Sequence, residues 1–356
     1  IAAKDIAAFG SVEQLGRYLR AKTYALGSGV PVKREHFRPL RFPRKPKRVV
    51  DPVEAGAIQR ELATLDDLKL SSQAEFDLYL APSERIPLIL REIGREREIS
   101  FRAVGEGTNK RIDLDEFDLY YDHLFLWDRE KQKLAGAYRI GDGVRIMERY
   151  GKRGFYTQTL FRMDRPMERI LAQSFELGRS FVSPDYQKHR LPLFLLWRGL
   201  LIHLLNHPDH RYLIGPVSIS SNYSRFSRGL IIEFVKQHHY DNDLARHVHP
   251  RNRFDIKQDQ GDSEALIAAS GEDLKKLDRL IADIEPKESS VPVLLKKYLL
   301  LNARIIGFNS DPRFNDALDG LMLLDLTKLP EKTVEDLKRG MNEAIASPAP
   351  GAGPVV

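Results

Sequence analysis

The chain has 356 residues, 42% of them hydrophobic and 30% charged, with 56 Lys+Arg, 50 Asp+Glu and no Cys. That length suits about two domains and a sizeable core, and the composition excludes global disorder, a disulfide framework, a thiol nucleophile and any Cys-ligated metal. The net charge of +6 is concentrated: residues 33–48 (KREHFRPLRFPRKPKR) hold eight Lys/Arg and one Glu, so the rest is close to neutral, which argues against a general nucleic-acid surface. No secretory leader is visible and residue 1 is Ile, so the chain reads as a fragment or processed piece.

Residues 11–26 predict a helix, with Ser11 and Gln14 as a capping pair and Gly27 as its stop. Prolines at 31, 39, 43 and 46 forbid regular helix in the basic stretch, which predicts an extended linker over 31–50. A helix restarts over 51–65, with Asp51 as N-cap and Pro52 in its first position. EFDLYLA (75–81) alternates as a strand, and 84–98 predict an amphipathic helix despite Pro87. YYDHLFLWD (120–128) and KLAGAYRIG (133–141) predict a hairpin, and SFELGRSFVSP (174–184) a third strand. The apolar run at 191–205 is interrupted by Arg198 and His203; it is too short to span a bilayer and predicts a buried helix. A strand over 211–220, a helix over 222–239, a polar region over 250–264, helices near 271–284 and 290–301, and strands at 303–309 and 321–326 follow. A last helix near 331–345 precedes a tail over 347–356 expected to be disordered. Antiparallel strands, then strand–helix–strand–helix, then a late strand pair, predict a mixed α/β fold.

Four segments bear chemistry. In ELGRSFV (176–182), strand alternation points Glu176 and Gly178 one way and Leu177 and Arg179 the other; a Glu buried at a sheet opening suits a general base, while the structural alternative is an ion pair or edge charge. DLDEFDLYYDHL (113–124) gathers acids that suit a cationic amine or a metal, or else a solvated loop. The turn Gln187, Lys188, His189, Arg190, set between strand and helix, presents backbone N–H groups to a phosphate, or is a plain basic turn; it lacks the glycines of a strong phosphate loop. His238 and Asp243 have the His-x4-Asp spacing of glycerolipid acyltransferases, a short pattern that occurs often by chance. No HExxH, GxSxG or Walker loop is present, and His203 and His207, one turn apart, suggest no third metal ligand.

Arg102, DEFD (115–118), GAYRI around Arg139 and ELGRS (176–180) fall in the order and rough spacing of the acyl-homoserine-lactone synthases. The chain resembles more closely the ornithine-lipid and glycine-lipid N-acyltransferases, often labelled hemolysin-like, over roughly 75–328; both groups are relatives of the GNAT acetyltransferases. The resemblance implies a mostly antiparallel central sheet flanked by helices, with the N-acyltransferase domain over 51–346. It places Glu176 at the general-base position and Arg179 and Arg139 at structural or carrier-side arginines. It puts Arg102, Asp115 and Asp118 near the acceptor amine, and the 187–190 turn where a carrier pyrophosphate sits. The missing Gly-x-Gly/Ala weakens coenzyme A binding and suits phosphopantetheine on a protein carrier. Residues 1–30 resemble the tail of a lysophospholipid-type O-acyltransferase domain, which implies such a domain upstream.

The expected activity is N-acyl transfer. A long-chain or 3-hydroxyacyl group would leave acyl carrier protein, with acyl-CoA a further possible donor, for the α-amine of ornithine or glycine. Glu176 would take the proton, and no bound cofactor or metal is implied. Carrier protein is acidic, so Lys188, His189 and Arg190, with Arg198, form the expected docking patch. The basic 33–48 segment suits an anionic membrane face, which places the enzyme in the cytoplasm and peripheral on the inner membrane, or is a solvated linker. The competing readings are an acetyl-CoA-dependent N-acetyltransferase and a non-catalytic carrier- or lipid-binding module. A pore-forming toxin fits poorly, since the sequence shows no long amphipathic or apolar insertion segment and no secretion signal.

Overall fold

A computed structural model describes residues 9–28, 46–254, 260–285, 290–331 and 333. The elements run α1 (Val12–Ser28), α2 (Ala55–Leu62), β1 (Lys69–Gln73), β2 (Phe76–Pro82), α3 (Pro87–Ala103), β3 (Asp122–Asp128) and β4 (Lys133–Asp142). They continue with α4 (Gly143–Tyr150), β5 (Phe161–Met163), α5 (Met167–Ala172), β6 (Ser174–Val182), α6 (Arg190–Leu205), β7 (Tyr212–Ile219) and α7 (Arg225–His238). The last are α8 (Asn242–Ala245), β8 (Val248–Pro250), α9 (Gln260–Ser270), α10 (Leu274–Ile284), α11 (Val293–Leu300), β9 (Arg304–Asp311) and β10 (Ala317–Asp325).

Eight strands form one sheet in the order β1-β2-β3-β4-β6-β7-β10-β9, and β5 pairs with β8 apart from it. Every neighbour in the large sheet is antiparallel except β6–β7. The fold is therefore mixed α/β with a mostly antiparallel sheet and flanking helices. Alternation sorts the two faces. Leu124, Leu126, Tyr138, Ile140, Phe175 and Leu177 point into the core that α6, α7 and α9–α11 cover. The opposite face splits. Phe125, Trp127 and Ala137 meet α2 and α3, whereas Ile214, Leu321 and Leu323 meet Tyr121, Phe155 and Tyr156.

β6 and β7 pair for only three residues, Ser174–Glu176 against Tyr212–Ile214, and then separate. Gly215 sits at the parting point, where an added Cβ would lie 2.1 Å from the Leu177 carbonyl oxygen. Only glycine permits that approach, and the strands diverge beyond it.

Several expectations need correction. Asp51 does not cap the second helix: α2 begins at Ala55, and Asp51 pairs with Arg48 at 2.8 Å. Pro87 starts α3 in its first turn, where its missing N–H costs nothing, so it does not oppose the helix. β1, α4 and α5 went unpredicted, and the polar region over 250–264 gives way to α9. α1, expected to belong to a preceding domain, buries Ala21 and Ala25 in the main core, and its Lys22 pairs with Asp283 of α10 at 3.1 Å. Most of the basic linker, most of the 331–345 helix and the tail at 347–356 lie outside the described residues. The linker's end is described: Lys47 and Val50 donate backbone hydrogen bonds to the Asn109 and Arg111 carbonyls.

Candidate active site

Where β6 and β7 part, a cleft of ≈ 380 Å³ opens. Among the described residues the β6 edge facing β7 has no ladder partner after Glu176, which leaves room along it for an extended ligand up to Val182, whose carbonyl accepts from Gln187. Phe181, Val182, Leu193, Val217, Leu294 and Met322 make most of the wall apolar. Its polar lining includes Glu106 and Ser218, and Tyr138, Ser180 and Tyr298 add hydroxyls.

Beside this cleft stands a charge network built from four elements. The sequence DEFD forms a capping box. Asp115 accepts from the Phe117 N–H at 3.1 Å, and Asp118 accepts from the Asp115 N–H at 2.8 Å. That turn aims both carboxylates at the sheet, where Arg97 of α3, Arg139 of β4 and Arg179 of β6 meet them. The ion pairs close into a ring of alternating charge. Arg97 pairs with Asp113 at 3.3 Å, Asp113 with Arg179 at 3.1 Å, and Arg179 with Asp115 at 3.1 Å. Asp115 then pairs with Arg139 at 2.5 Å, Asp118 with Arg139 at 3.2 Å, and Asp118 with Arg97 at 2.9 Å. Burial works to raise the Asp118 carboxyl, but the Arg97 and Arg139 guanidiniums overcome it and hold it well below the usual carboxylate range. His123 sits beneath, its Nε2 3.0 Å from the Asp118 carbonyl, and burial lowers it to about 4, so it is neutral at pH 7.

Arg179 joins this ring because strand parity fails there. Its φ of 51° is left-handed, and the β4–β6 register shifts between Ala137 and Arg139. The inversion brings Arg179 to the same face as Glu176, not the opposite one as alternation predicts. Its guanidinium lies 4.7 Å over Tyr156 and 4.4 Å over Phe314, and donates to the Tyr156 hydroxyl at 3.1 Å.

Glu176 is 1% exposed. Its carboxylate accepts from the Thr157 N–H at 2.7 Å, the Tyr156 N–H at 2.9 Å and the Tyr121 hydroxyl. Burial raises its carboxyl, and these donors work against the rise. Glu176 does not line the cleft.

The remaining predicted site residues scatter. Arg102 pairs with Glu98 at 2.7 Å and donates to the Lys47 and Lys110 carbonyls, so it ties the linker's end to α3 and stands outside the ring. Asp115 and Asp118 are committed to arginines, although Asp115, 23% exposed, is the most open of the three aspartates. Gln187, Lys188, His189 and Arg190 are exposed around the start of α6; Gln187 lines the cleft and donates to the Val182 carbonyl at 3.0 Å. Arg198, two turns along α6, points elsewhere and donates to Gln73 of β1 at 2.6 Å. His238 Nδ1 lies 3.9 Å from Glu272 while Asp243 faces Arg246, so these two do not form a dyad. Among the described residues no group of three or more His, Asp or Glu is placed to hold a metal ion. No helix among them is long and apolar enough to cross a membrane.

Sequence reasoning missed Arg97 and Glu106, and had Asp113 only as a member of the 113–124 acidic cluster. Arg97 stands five residues before the Arg102 it was passed over for, and only the helix phase, which turns Arg97 inward and Arg102 outward, separates them.

Comparisons with known proteins find acyltransferases similar to this chain. A family model described as an acetyltransferase (GNAT) domain matches residues 97–197, a span that holds the whole arginine–aspartate ring, Glu176 and the start of α6. The chain is 28% identical over 301 residues to a glycine N(alpha)-acyltransferase of Phocaeicola vulgatus, covering 80% of this chain and 90% of that protein. It is 29% identical over 301 residues to the glycine N(alpha)-acyltransferase of Bacteroides thetaiotaomicron, covering 80% and 88%. An L-ornithine N(alpha)-acyltransferase of Rhodobacter capsulatus is 28% identical over 232 residues, covering 62% of this chain and 78% of that one. None of these comparisons supports an O-acyltransferase domain upstream.

Proposed function

We propose that this chain, a GNAT-superfamily acyltransferase related to the glycine and ornithine N-acyltransferases, moves a long-chain acyl group from acyl carrier protein to the α-amine of a small amino acid. Glycine and ornithine are the acceptors its relatives are named for, and the product is a lyso-aminolipid. The observation that carries this reading is the cleft between the parted β6 and β7, walled mostly by apolar side chains with Glu106 and Ser218 among its polar ones. Its apolar walls suit a fatty chain. Its free strand edge suits the amides of a phosphopantetheine arm, which add to it as a further strand would. Backbone N–H groups on that edge would stabilise the oxyanion as the amine attacks the thioester.

The ring of Arg97, Arg139 and Arg179 with Asp113, Asp115 and Asp118 stands off the cleft lining and braces β4, β6 and α3 around it, and Asp115 is its member closest to solvent. The exposed Lys188, His189 and Arg190 at the start of α6 offer a docking surface for an acidic carrier, with Gln187 at its inner edge. A lysolipid product calls for work at a membrane face. The eight Lys/Arg of 33–48 would supply ~1 kcal/mol each near an anionic leaflet, which supports a peripheral site on the inner face of the cytoplasmic membrane.

The test is an assay of the purified protein with long-chain acyl–acyl carrier protein, long-chain acyl-CoA and acetyl-CoA, each against a panel of amino acids, read by mass spectrometry. N-acyl glycine or N-acyl ornithine from the carrier donor is the expected product. Reversing charge at Lys188 and Arg190 to Glu should cut kcat/KM for the carrier donor about tenfold, more at low salt, and spare acyl-CoA. Product from acetyl-CoA alone overturns the reading.

A further inference from the structure

An ammonium acceptor must lose a proton before it attacks, and the expected base, Glu176, is enclosed by its three donors away from the cleft. We infer that Glu106, on the loop after α3, is the group that takes the acceptor's proton, and that Glu176 is a positioning residue. The inference rests on the reading of the cleft as the acyl-transfer site.

Glu106 lines the cleft. Its carboxylate accepts one hydrogen bond from a described side chain, the Ser218 hydroxyl at 2.7 Å, and so keeps lone pairs for a substrate N–H. Ser218 lies on β7 beyond the parting point, on the side of the sheet that Glu176 faces, because Glu176 pairs with Ile214 and Ser218 is an even step along the strand. Asp319 of β10 is paired in register with Ser218 and emerges on the same side. It is 7% exposed, and its carboxylate accepts no hydrogen bond from any described residue. Asp311, 2% exposed, is by contrast paired with Arg313 at 3.3 Å and accepts from the Arg313 N–H at 2.9 Å, with its Oδ2 left without a hydrogen-bond partner. Glu106 in the cleft and Asp319, the strand neighbour of Ser218, thus carry negative charge that protein donors have left largely unspent, which suits a bound ammonium. Burial raises the carboxyls of Glu106 and Asp319; Asp311 and Glu106 push Asp319 further up, and Arg179 and Arg313 work against that rise without overcoming it.

The loop is built to hold Glu106 in place. Gly105 has φ of 80°, and a Cβ there would lie 2.5 Å from the Asn222 side chain. Ser220 and Asn222 donate to the Val104 carbonyl at 2.6 and 3.0 Å, and Asn315 donates to the Gly105 carbonyl at 3.1 Å. Three donors from two neighbouring segments clamp the two residues before Glu106, a degree of restraint that an unemployed surface loop does not need.

The step balances without a further reactant. The ammonium gives one proton to the Glu106 carboxylate, and the neutral amine forms the C–N bond at the thioester carbon. The C–S bond breaks as the oxyanion collapses, and the thiolate leaves with the second N–H proton as a thiol. Glu106 then returns its proton to solvent.

The test compares wild type, Glu106→Gln, Glu106→Asp and Glu176→Gln, with acyl–acyl carrier protein and glycine or ornithine, as kcat/KM from pH 5 to 10. Circular dichroism and thermal melting confirm folding of each variant. Glu106→Gln should lose about 100-fold or more at pH 7 and then gain activity steadily with pH toward the pKa of the amine itself, while Glu106→Asp retains part of the rate. Glu176→Gln should keep the wild-type shape of the pH profile whatever its rate. A folded Glu106→Gln with wild-type rate and profile overturns this assignment alone, as does the same pH-dependent loss in Glu176→Gln instead. A wild type that makes no product from any donor overturns the functional reading and the assignment with it.

Discussion

Asp113, Asp115 and Asp118 lie on the same side of the sheet as Glu106 and Asp319, yet the two groups live under opposite electrostatics. Each of the three aspartates stands between two arginines, so the ring is neutral and its burden of buried charge is offset pair by pair. Glu106 and Asp319 have between them one serine hydroxyl and no ion pair among the described residues. Buried charge without a partner is costly, and a fold retains it where a ligand completes it. The ring, off the cleft lining, completes its own charges; Glu106, in the lining, and Asp319, the strand neighbour of Ser218, leave theirs open.

The same substitution in the two groups should therefore act in opposite directions, and the larger effect is in the ring. Asp118→Asn leaves Arg97 and Arg139 sharing two aspartates with Arg179, an uncompensated buried charge. Breaking a buried pair in this way costs about 3–5 kcal/mol, read as a fall in the urea midpoint. The pH dependence has a definite sign. The folded carboxyl lies below its ordinary value of 3.8, so its contribution is complete above that pH and is lost as pH falls beneath it. The variant should show a shallower acid limb than wild type, and equal limbs would mean that the ring stores no stability.

Asp319→Asn should do the reverse. Its folded carboxyl is raised by burial and by Asp311 and Glu106, so ionising it at neutral pH costs stability that is absent below pH 3.8. The amide should stabilise the protein at pH 7 by roughly 1 kcal/mol, with the gain vanishing toward acid pH, and should lower activity. A destabilised variant at pH 7 would show that Asp319 is a structural acid like those of the ring.

How much of this contrast was legible beforehand depends on geometry that is local or not. Strands β2, β3, β4, β6 and β7 follow from alternation, and α6 from its apolar run, because each is a property of consecutive residues. Arg179 was visible as a residue and misplaced as a direction, since one left-handed φ inside β6 inverts the parity on which the prediction rests. Arg97 and Asp113 complete the ring from 16 residues apart, and nothing in either one's own segment announces the other. Glu106 sits in a loop without periodicity; its flanking glycines were the one available signal, and Gly105 shows why a glycine is needed there.

The smallest expected effect sharpens the contrast most finely. Ser218→Ala removes the hydroxyl that donates to Glu106 and leaves the rest of β7 unchanged, so the stability loss should be about 1 kcal/mol. Burial raises the Glu106 carboxyl and Ser218 works against that rise, so without the hydroxyl the carboxyl rises further. If Glu106 takes the acceptor's proton, the acid limb of kcat/KM moves to higher pH in Ser218→Ala, while the rate on the alkaline plateau changes little. The ring cannot produce that shift, because Ser218 touches none of its six members. A limb that stays where it is in wild type would separate Glu106 from the rate and return the proton to another base.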